Sequence, residues 1–195
     1  MPRVFISSTT EDLKAFREAA RDAALQTGFE PVMMEYFNAQ GKAAPYEACM
    51  EKVAGCDLVV AIVAHRHGWT PPRRKKSISR LECEYARELD REVLPFLVDE
   101  KCSWPAELRE SYRLEEGVPA EEVTRNLAQL REFKEWLSGL GIRGTFTNKD
   151  DLKAGVVGAL NRCSSPDSSS TRQSVNVPPT SIVSCFTMLS PRQQA

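Results

Sequence analysis

Residues 77–86, with the sequence SISRLECEYA, contain the side chain with the clearest potential for chemistry, Glu82. Ile78, Leu81, Tyr85 and Leu89 recur at the spacing of a buried helical face, which predicts a helix with Glu82 in its first turn. A carboxylate at that position can face a bound ligand. The spacing Ser79-x-x-Glu82 also fits a capping box, in which the serine caps the helix and the glutamate bonds a free backbone amide. Spacing alone leaves both interpretations open.

Four further features have a chemical interpretation beside a structural one. Cys83 lies where a helix dipole lowers a thiol pKa, but no histidine is close in sequence, and a structural thiol is the alternative. His65 and His67 could share a metal ion, yet no third ligand is evident, so no metal site is predicted. The basic residues 73–76 form either a nucleic-acid contact or a solvated loop. Trp69 either stacks on a base or anchors its loop.

The composition restricts the class of protein. A chain of 195 residues accommodates one α/β domain, predicted over residues 1–162, and a disordered tail over 163–195 that is rich in serine and proline. A net charge of -1 argues against a nucleic-acid coat protein. The sequence contains neither an apolar run of about 20 residues nor a signal-peptide pattern, which predicts a cytoplasmic protein without membrane contact. Its six cysteines form no CxxC pair, so neither zinc nor a disulfide framework is expected.

Five strand-like runs alternate with helical segments along the chain. The runs are residues 4–7, 30–35, 57–64, 93–98 and 144–147, and the helices end near Gly28 or cover residues 45–54, 77–89, 120–138 and 150–162. Such alternation predicts a three-layer α/β sandwich of the flavodoxin-like type, with a five-stranded parallel sheet in the order 2-1-3-4-5. In the fourth run, Pro95 fits a central strand badly.

That strand order predicts where a ligand would bind. The first and third strands are neighbours whose connections leave on opposite sides of the sheet, so a crevice opens beyond their carboxyl ends. The hydroxyl residues 7–9, the turn at 65–68 and the helix that carries Glu82 would line it, and helix N-termini would offer amides to a phosphate. No GxGxxG or P-loop motif occurs in the sequence.

An ordered set of segments resembles the N-terminal domain known as domain of unknown function 4062. The segments are VFISST at 4–9, EDL at 11–13, MEYF at 34–37, a strand opened by Asp57, Arg66 with Gly68, SISRLE at 77–82, and NKDDLKAGVVGAL at 148–160. The resemblance covers roughly residues 2–161. That family is similar to Toll/interleukin-1 receptor (TIR) domains and, more distantly, to nucleoside 2-deoxyribosyltransferases.

The resemblance implies a function and a set of site residues. In both relatives a glutamate at the start of the helix after the third strand acts on an N-glycosidic bond, and Glu82 is the residue that aligns, with Glu84 as the competitor two positions later. The implied function is a nucleotide-binding signalling or effector domain that takes NAD or a related nucleotide as substrate or ligand and requires no cofactor. The implied ligand-binding residues are Ser7, Ser8, Thr9, Arg66, Gly68, Ser77 and Ser79. The alternatives are a non-catalytic, self-associating interaction module and a deoxyribosyltransferase.

The sequence departs from the family in three respects. Cys83 stands where an aromatic residue is usual, and a basic RRKK run precedes the helix. The domain is also not followed here by a large nucleotide-hydrolysing or repeat domain, although such domains usually accompany the family's signalling role.

Overall fold

The five strands form one parallel sheet with helices on both faces. The computed structural model describes residues 1–34 and 45–164. Its elements are β1 (Arg3–Ser8), α1 (Lys14–Gln26), β2 (Glu30–Val32), α2 (Pro45–Ala54), β3 (Leu58–Val63), α3 (Ile78–Glu88), β4 (Glu92–Val98), α4 (Ala120–Gly139), β5 (Gly144–Phe146) and α5 (Lys149–Ser164). The sheet order is β2-β1-β3-β4-β5, which confirms the predicted topology. The predicted tail and the loop before Pro45 lie outside the described residues.

Pro95 is tolerated in β4 because the neighbouring strand β5 is short. β4 pairs with β3 along six residues, with Pro95 opposite Ala61. The pairing of β4 with the short strand β5 begins only at Phe96, opposite Gly144. On that side of the sheet Pro95 therefore precedes the paired region, where a missing backbone N–H costs little.

Helix α3 is rotated relative to the sequence prediction. Its buried residues are Ile78, Ser79, Glu82, Cys83 and Ala86. Leu89, expected on the buried face, is 37% exposed. Because the small side chains of this helix pack against the sheet, Glu82 is directed inward.

The capping-box interpretation of Ser79 and Glu82 is wrong. Helix α3 begins at Ile78 with Ser77 as its N-cap residue, so Ser79 is helical and Glu82 lies one residue beyond the first turn. At α5 the cap is Asn148, whose Oδ1 accepts hydrogen bonds from the backbone N–H groups of Asp150 and Asp151.

Between β4 and α4 the chain forms an insertion, residues 99–119, which borders the carboxyl edge of the sheet. It contains two 3-10 turns, Ala106–Leu108 and Glu110–Leu114. Within the described ranges no helix is long and apolar enough to cross a lipid bilayer.

Helix α4 carries an apolar stripe of five residues at helical spacing, four of which are buried. Val123, Leu130, Phe133 and Leu137 are buried, but Leu127 is 41% exposed. We expect Leu127→Ala to lower the free energy of unfolding by less than about 1 kcal/mol, because little apolar area is lost, and Val123→Ala to lower it by about 2 kcal/mol. Urea denaturation of both variants tests this. Equal losses would show that Leu127 is covered in solution.

Candidate functional site

The carboxylate of Glu82 is buried against the end of β1. Its side chain is 2% exposed, and its Oε2 accepts a hydrogen bond of 2.6 Å from Ser7 Oγ. Ser7 Oγ also lies 3.4 Å from the backbone carbonyl of Ser79, one turn earlier in α3. The predicted juxtaposition of Glu82 with the first turn therefore exists, and the carboxylate is not folded back on its own helix.

Burial sets the protonation of this carboxyl group. It raises the pKa of Glu82 from 4.5 to about 7, against the opposing effects of the Ser7 hydrogen bond, the Arg17 guanidinium and the Cys49 thiol. Oε1 is buried and has no oxygen or nitrogen donor among the described residues. With this pKa both the protonated and the ionised form are populated near neutral pH, as is common for carboxyl groups in acid–base or charge-stabilising chemistry.

The thiols beside Glu82 are protonated at neutral pH. Burial and the neighbouring carboxylate raise the pKa of Cys49 to about 12. Burial also raises the pKa of Cys83 far above its usual value, so the expected lowering by the helix dipole is wrong. Glu84, the competing carboxylate, is instead paired with Lys76 at 2.7 Å and Arg80 at 3.0 Å near the surface. Glu82 is the glutamate of this helix that faces the interior.

A cavity of about 1200 Å³ lies at the predicted crevice, and we call it the first cavity. Residues after β1, after β3 and at the start of α3 line it together with the insertion and α4. Four of the predicted site residues are on its wall: Thr9, Arg66, Gly68 and Ser79. Ser7, Ser8, Ser77 and Glu82 lie behind the wall. Since Ile78 and Ser79 line the cavity and precede Glu82 by four and three residues, Glu82 is one helical turn deeper on the same face.

The hydroxyl groups after β1 are already engaged. Ser8 Oγ donates to the carbonyl of Thr9 at 3.1 Å and accepts from Arg17 Nη1 at 2.7 Å. Thr9 Oγ1 donates to Asp12 Oδ1. The other oxygen of Asp12 is buried without a partner among the described residues, and burial raises the pKa of this group. Ser8 therefore shapes the wall, whereas Thr9 and Asp12 face the cavity.

Arg66 lines the first cavity, but its charge is offset. Its guanidinium pairs with Glu11 at 3.1 Å and Glu116 at 3.3 Å and donates to the carbonyl of Glu107 at 2.8 Å. Lys75 and Arg125 also line the cavity, and neither forms an ion pair with a described residue. These two cations are better placed than Arg66 to receive an anion.

Aromatic surface is present at the same cavity. Trp69 lines it with 45% of its surface exposed. Arg74, in the basic loop, lies over the ring of Tyr46 at 4.7 Å from the ring centre. Lys76 of the same loop is held by Glu84. The segment from Trp69 to Lys76 thus combines a stacking surface with positive charge at the cavity mouth. Part of that charge is bound to other side chains, because Lys76 pairs with Glu84 and Arg74 lies on Tyr46.

Gly68 occupies a position that a side chain would disturb. Its φ is +81°, and an added Cβ would lie 2.7 Å from Thr9 Cγ2. We expect Gly68→Ala to lower the free energy of unfolding by about 1–2 kcal/mol through backbone strain and this contact. In a Thr9→Ser background, which lacks the methyl group, the cost should be smaller, and chemical denaturation of the four proteins measures the coupling. An unchanged cost would show that the methyl contact is irrelevant.

The two histidines do not act together. His67 Nε2 lies 3.2 Å from Thr70 Oγ1, while His65 Nδ1 faces Glu100 Oε2 at 3.7 Å. In the described part of the chain, no three His, Cys, Asp or Glu side chains are grouped to hold a metal ion. Burial lowers the pKa of His67, and burial together with Lys134 lowers that of His65 to about 4, so both rings are neutral near pH 7.

Sequence reasoning missed the group that fixes the insertion. Glu110 is completely buried, and its carboxylate accepts hydrogen bonds from the His67 backbone N–H at 2.9 Å, Asn126 Nδ2 at 3.0 Å and Arg113 Nη1 at 3.3 Å. It lies in a polar, acidic stretch, where nothing in the local pattern separates a buried glutamate from its exposed neighbours. Arg17, buried beside Ser8, was also missed, because a charged residue in an amphipathic helix is expected on its exposed face.

Comparisons with known proteins agree with this architecture. Residues 3–161 match the family DUF4062, described as a domain of unknown function. The TIR domains in the structure of the activated Roq1 resistosome, which directly recognises the pathogen effector XopQ, are similar to this chain, with 13% identity, a TM-score of 0.50, and coverage of 82% of this chain and 99% of that one. A 2-desoxiribosyltransferase from Leishmania mexicana overlaps with 18% identity, a TM-score of 0.39, and coverage of 52% and 68%, respectively.

No curated protein matches the chain. At 13% identity, the similarity to the Roq1 TIR domains concerns the fold. The family match extends from β1 into α5 and includes every strand of the sheet. The chain therefore belongs to the DUF4062 family, with a TIR-like α/β fold.

Proposed function

We propose that this domain binds NAD or a chemically related nucleotide in the first cavity and cleaves its N-glycosidic bond with the carboxylate of Glu82. The observation that carries the proposal is the position of Glu82. Its carboxylate has one unbonded oxygen and a pKa of about 7, and it lies one helical turn behind a cavity at the carboxyl ends of β1 and β3. Perturbed carboxylates in such crevices are typical of catalytic sites.

The cavity lining suits a nucleotide. Trp69 offers an exposed aromatic face for a base, and Lys75 and Arg125 offer charge to phosphates. Thr9 and Asp12 can bond the hydroxyl groups of a ribose. We assign the phosphate contacts to Lys75 and Arg125 ahead of Arg66, because Arg66 is already paired with two carboxylates.

The reaction is a hydrolysis. The bond between the anomeric carbon and the nicotinamide nitrogen breaks with its electron pair on the nitrogen, which leaves as a neutral base. The sugar passes through an oxocarbenium-like state that an ionised Glu82 stabilises, and water then adds to the anomeric carbon and releases a proton. Glu82 is 2% exposed, and Ile78 and Ser79 line the cavity in front of it. Cleavage therefore requires these two residues to shift so that the anomeric carbon reaches the carboxylate.

The test is nicotinamide release from NAD by the full chain at high concentration with a crowding agent that promotes assembly. Removing the carboxylate charge in Glu82→Gln should lower release at least about 100-fold. Glu84→Gln, two residues further along the same helix, is the matched control and should retain activity. Release should rise as the pH passes 7, because the ionised form of Glu82 is required. No release by the wild-type protein would refute cleavage of NAD, and equal release by Glu82→Gln would refute the role of Glu82.

A second candidate is a nucleotide-binding assembly module without catalysis. The burial of Glu82 and its hydrogen bond to Ser7 favour it, because a sealed carboxylate contributes to the packing of α3 on β1 without touching a ligand. The similar TIR domains of Roq1 belong to a resistosome, which supports a test for self-association. Binding of NAD that increases the oligomer mass in sedimentation, without nicotinamide release, would identify this function.

A further inference from the structure

A second cavity, of about 930 Å³, opens at the carboxyl ends of β4 and β5. Helix α4 and the insertion form its other walls. Among the described residues, Glu110 is the one that borders both cavities, so the insertion separates them. The carboxyl edge of a parallel sheet is where α/β proteins bind ligands, and this second opening at that edge is not used by the proposed nucleotide site.

Positive charge predominates among the groups that remain available in the second cavity. Its basic residues are Lys101, Arg109, Arg131, Lys134 and Arg143, and its acidic residues are Asp99, Glu100, Glu110 and Glu135. Two of these carboxylates are compensated: Glu100 pairs with Lys134 at 2.5 Å, and Glu110 takes three donors from outside the cavity lining.

Four cations are left against two carboxylates. Lys101, Arg109, Arg131 and Arg143 form no ion pair with any described residue. Arg143 donates to the neutral Ser138 Oγ at 2.8 Å, and Arg109 approaches the carbonyl of Trp104 at 3.4 Å. Because the whole chain carries a net charge of -1, this local excess of cations is a property of the cavity.

The remaining lining adds hydrogen-bond donors and an apolar floor. Ser111, Ser138 and Thr145 supply hydroxyl groups, and Leu97, Leu127 and Leu130 supply apolar surface. Leu127 is the stripe residue of α4 that is not covered by protein. A concave apolar floor with polar groups beside it is a feature of small-molecule sites.

His65 is a buried residue in the wall of the second cavity. It follows β3, is 9% exposed, and has a buried Nε2 without a partner among the described residues. Its ring lies 5.6 Å from that of Trp104, and its backbone carbonyl accepts the N–H of Glu110 at 2.9 Å. An anion bound among the cations would therefore change the electrostatic environment of the His65 ring directly.

We propose that the second cavity is a separate binding site for a small phosphorylated molecule. Lys101, Arg109 and Arg131 would bind its phosphate group, and the leucine floor would take its apolar portion. Multiply charged phosphate suits this site because guanidinium groups bind its oxygens in pairs, whereas a singly charged carboxylate gains less. The inference is independent of the function proposed for the first cavity.

The test uses inorganic pyrophosphate as the probe and the two histidines of the sequence as reporters. Pyrophosphate is titrated into the full chain while the imidazole NMR signals are recorded, with acetate at matched ionic strength as the comparison anion. We expect the His65 signals to shift on saturation with pyrophosphate and not with acetate. His67 contacts Thr70, which lines the first cavity, so its signals should move much less.

Charge reversal locates the site. Arg131→Glu and Lys101→Glu should each weaken the pyrophosphate affinity by about tenfold or more, because each converts an attraction into a repulsion. Both side chains are exposed and unpaired with described residues, so both variants should fold, which circular dichroism checks. The control is Arg162→Glu, an identical charge change on α5 outside both cavity linings, and it should leave the affinity within about twofold.

Three results would overturn the proposal. The first is that the His65 signals do not shift at pyrophosphate concentrations of about 10 mM. Such concentrations lie well above the dissociation constant of a specific site. The second is a shift confined to His67, which would place pyrophosphate in the first cavity. The third is an equal loss of affinity in Arg162→Glu and Arg131→Glu, which would indicate attraction by overall charge.

Discussion

Glu82→Gln is expected to become progressively more stable than the wild-type protein as the pH rises from about 4.5 to about 7. Burial raises the pKa of Glu82 from 4.5 to about 7 in the folded protein. In that window the folded chain retains a proton that the unfolded chain has released, so the wild type loses stability with rising pH. The loss ends above pH 7, where both states are ionised. Glutamine has no proton to lose, and the difference should reach about 3 kcal/mol.

Urea denaturation of both proteins between pH 4.5 and pH 8.5 measures this difference. The control is Glu88→Gln, an exposed glutamate on the same helix, whose difference from wild type should change little with pH. Parallel curves for Glu82→Gln and wild type would mean that Glu82 ionises as an ordinary carboxyl group. That result would also remove the basis for an activity that rises through pH 7.

Glu110→Gln is expected to lower the free energy of unfolding by about 3 kcal/mol. The completely buried carboxylate accepts hydrogen bonds from the His67 backbone N–H, Asn126 and Arg113. Glutamine replaces one acceptor oxygen by an NH₂ group, which opposes the surrounding donors and leaves buried polar groups unsatisfied. Arg113 retains Glu122 at 3.8 Å as a partner, so the loss arises mainly at His67 and Asn126.

Thermal and urea denaturation give the stability, and hydrogen exchange shows where it is lost. The His67 amide should exchange faster in Glu110→Gln, together with amides of the insertion. Glu107→Gln, an exposed change three residues earlier, is the control and should cost less than about 0.5 kcal/mol. Similar losses in the two variants would contradict a role for Glu110 in holding the insertion between the cavities.

The sequence predicted the fold well because the relevant signals are local. Residues 58–63 are an uninterrupted apolar run, and they form the central strand, fully buried on both faces. The alternation of such runs with helices restricts a parallel sheet to few orders, and the predicted order 2-1-3-4-5 is confirmed. The position of the crevice followed from that order, and Thr9, Arg66, Gly68 and Ser79 do line a cavity there.

The state of each side chain at the site could not be predicted in this way. Arg66 was expected to bind the ligand, but Glu116, fifty residues away, and Glu11 pair with it. Ser8 was expected to bind ligand, but Arg17 occupies its hydroxyl group. Partners so far apart in sequence are brought together by the tertiary fold, and no local sequence pattern predicts them.

At Glu82, the sequence and the tertiary structure each determined a different property. The sequence by itself determined that a carboxylate follows the third strand, at the start of a helix beside the crevice. Only the tertiary structure decided that α3 turns its small face, and with it Glu82, toward β1, where Ser7 binds the carboxylate. The reason is physical: the rotation of a helix is fixed by how its side chains pack against the sheet, and the pKa of a carboxyl group is fixed by the water and charges that this packing leaves around it.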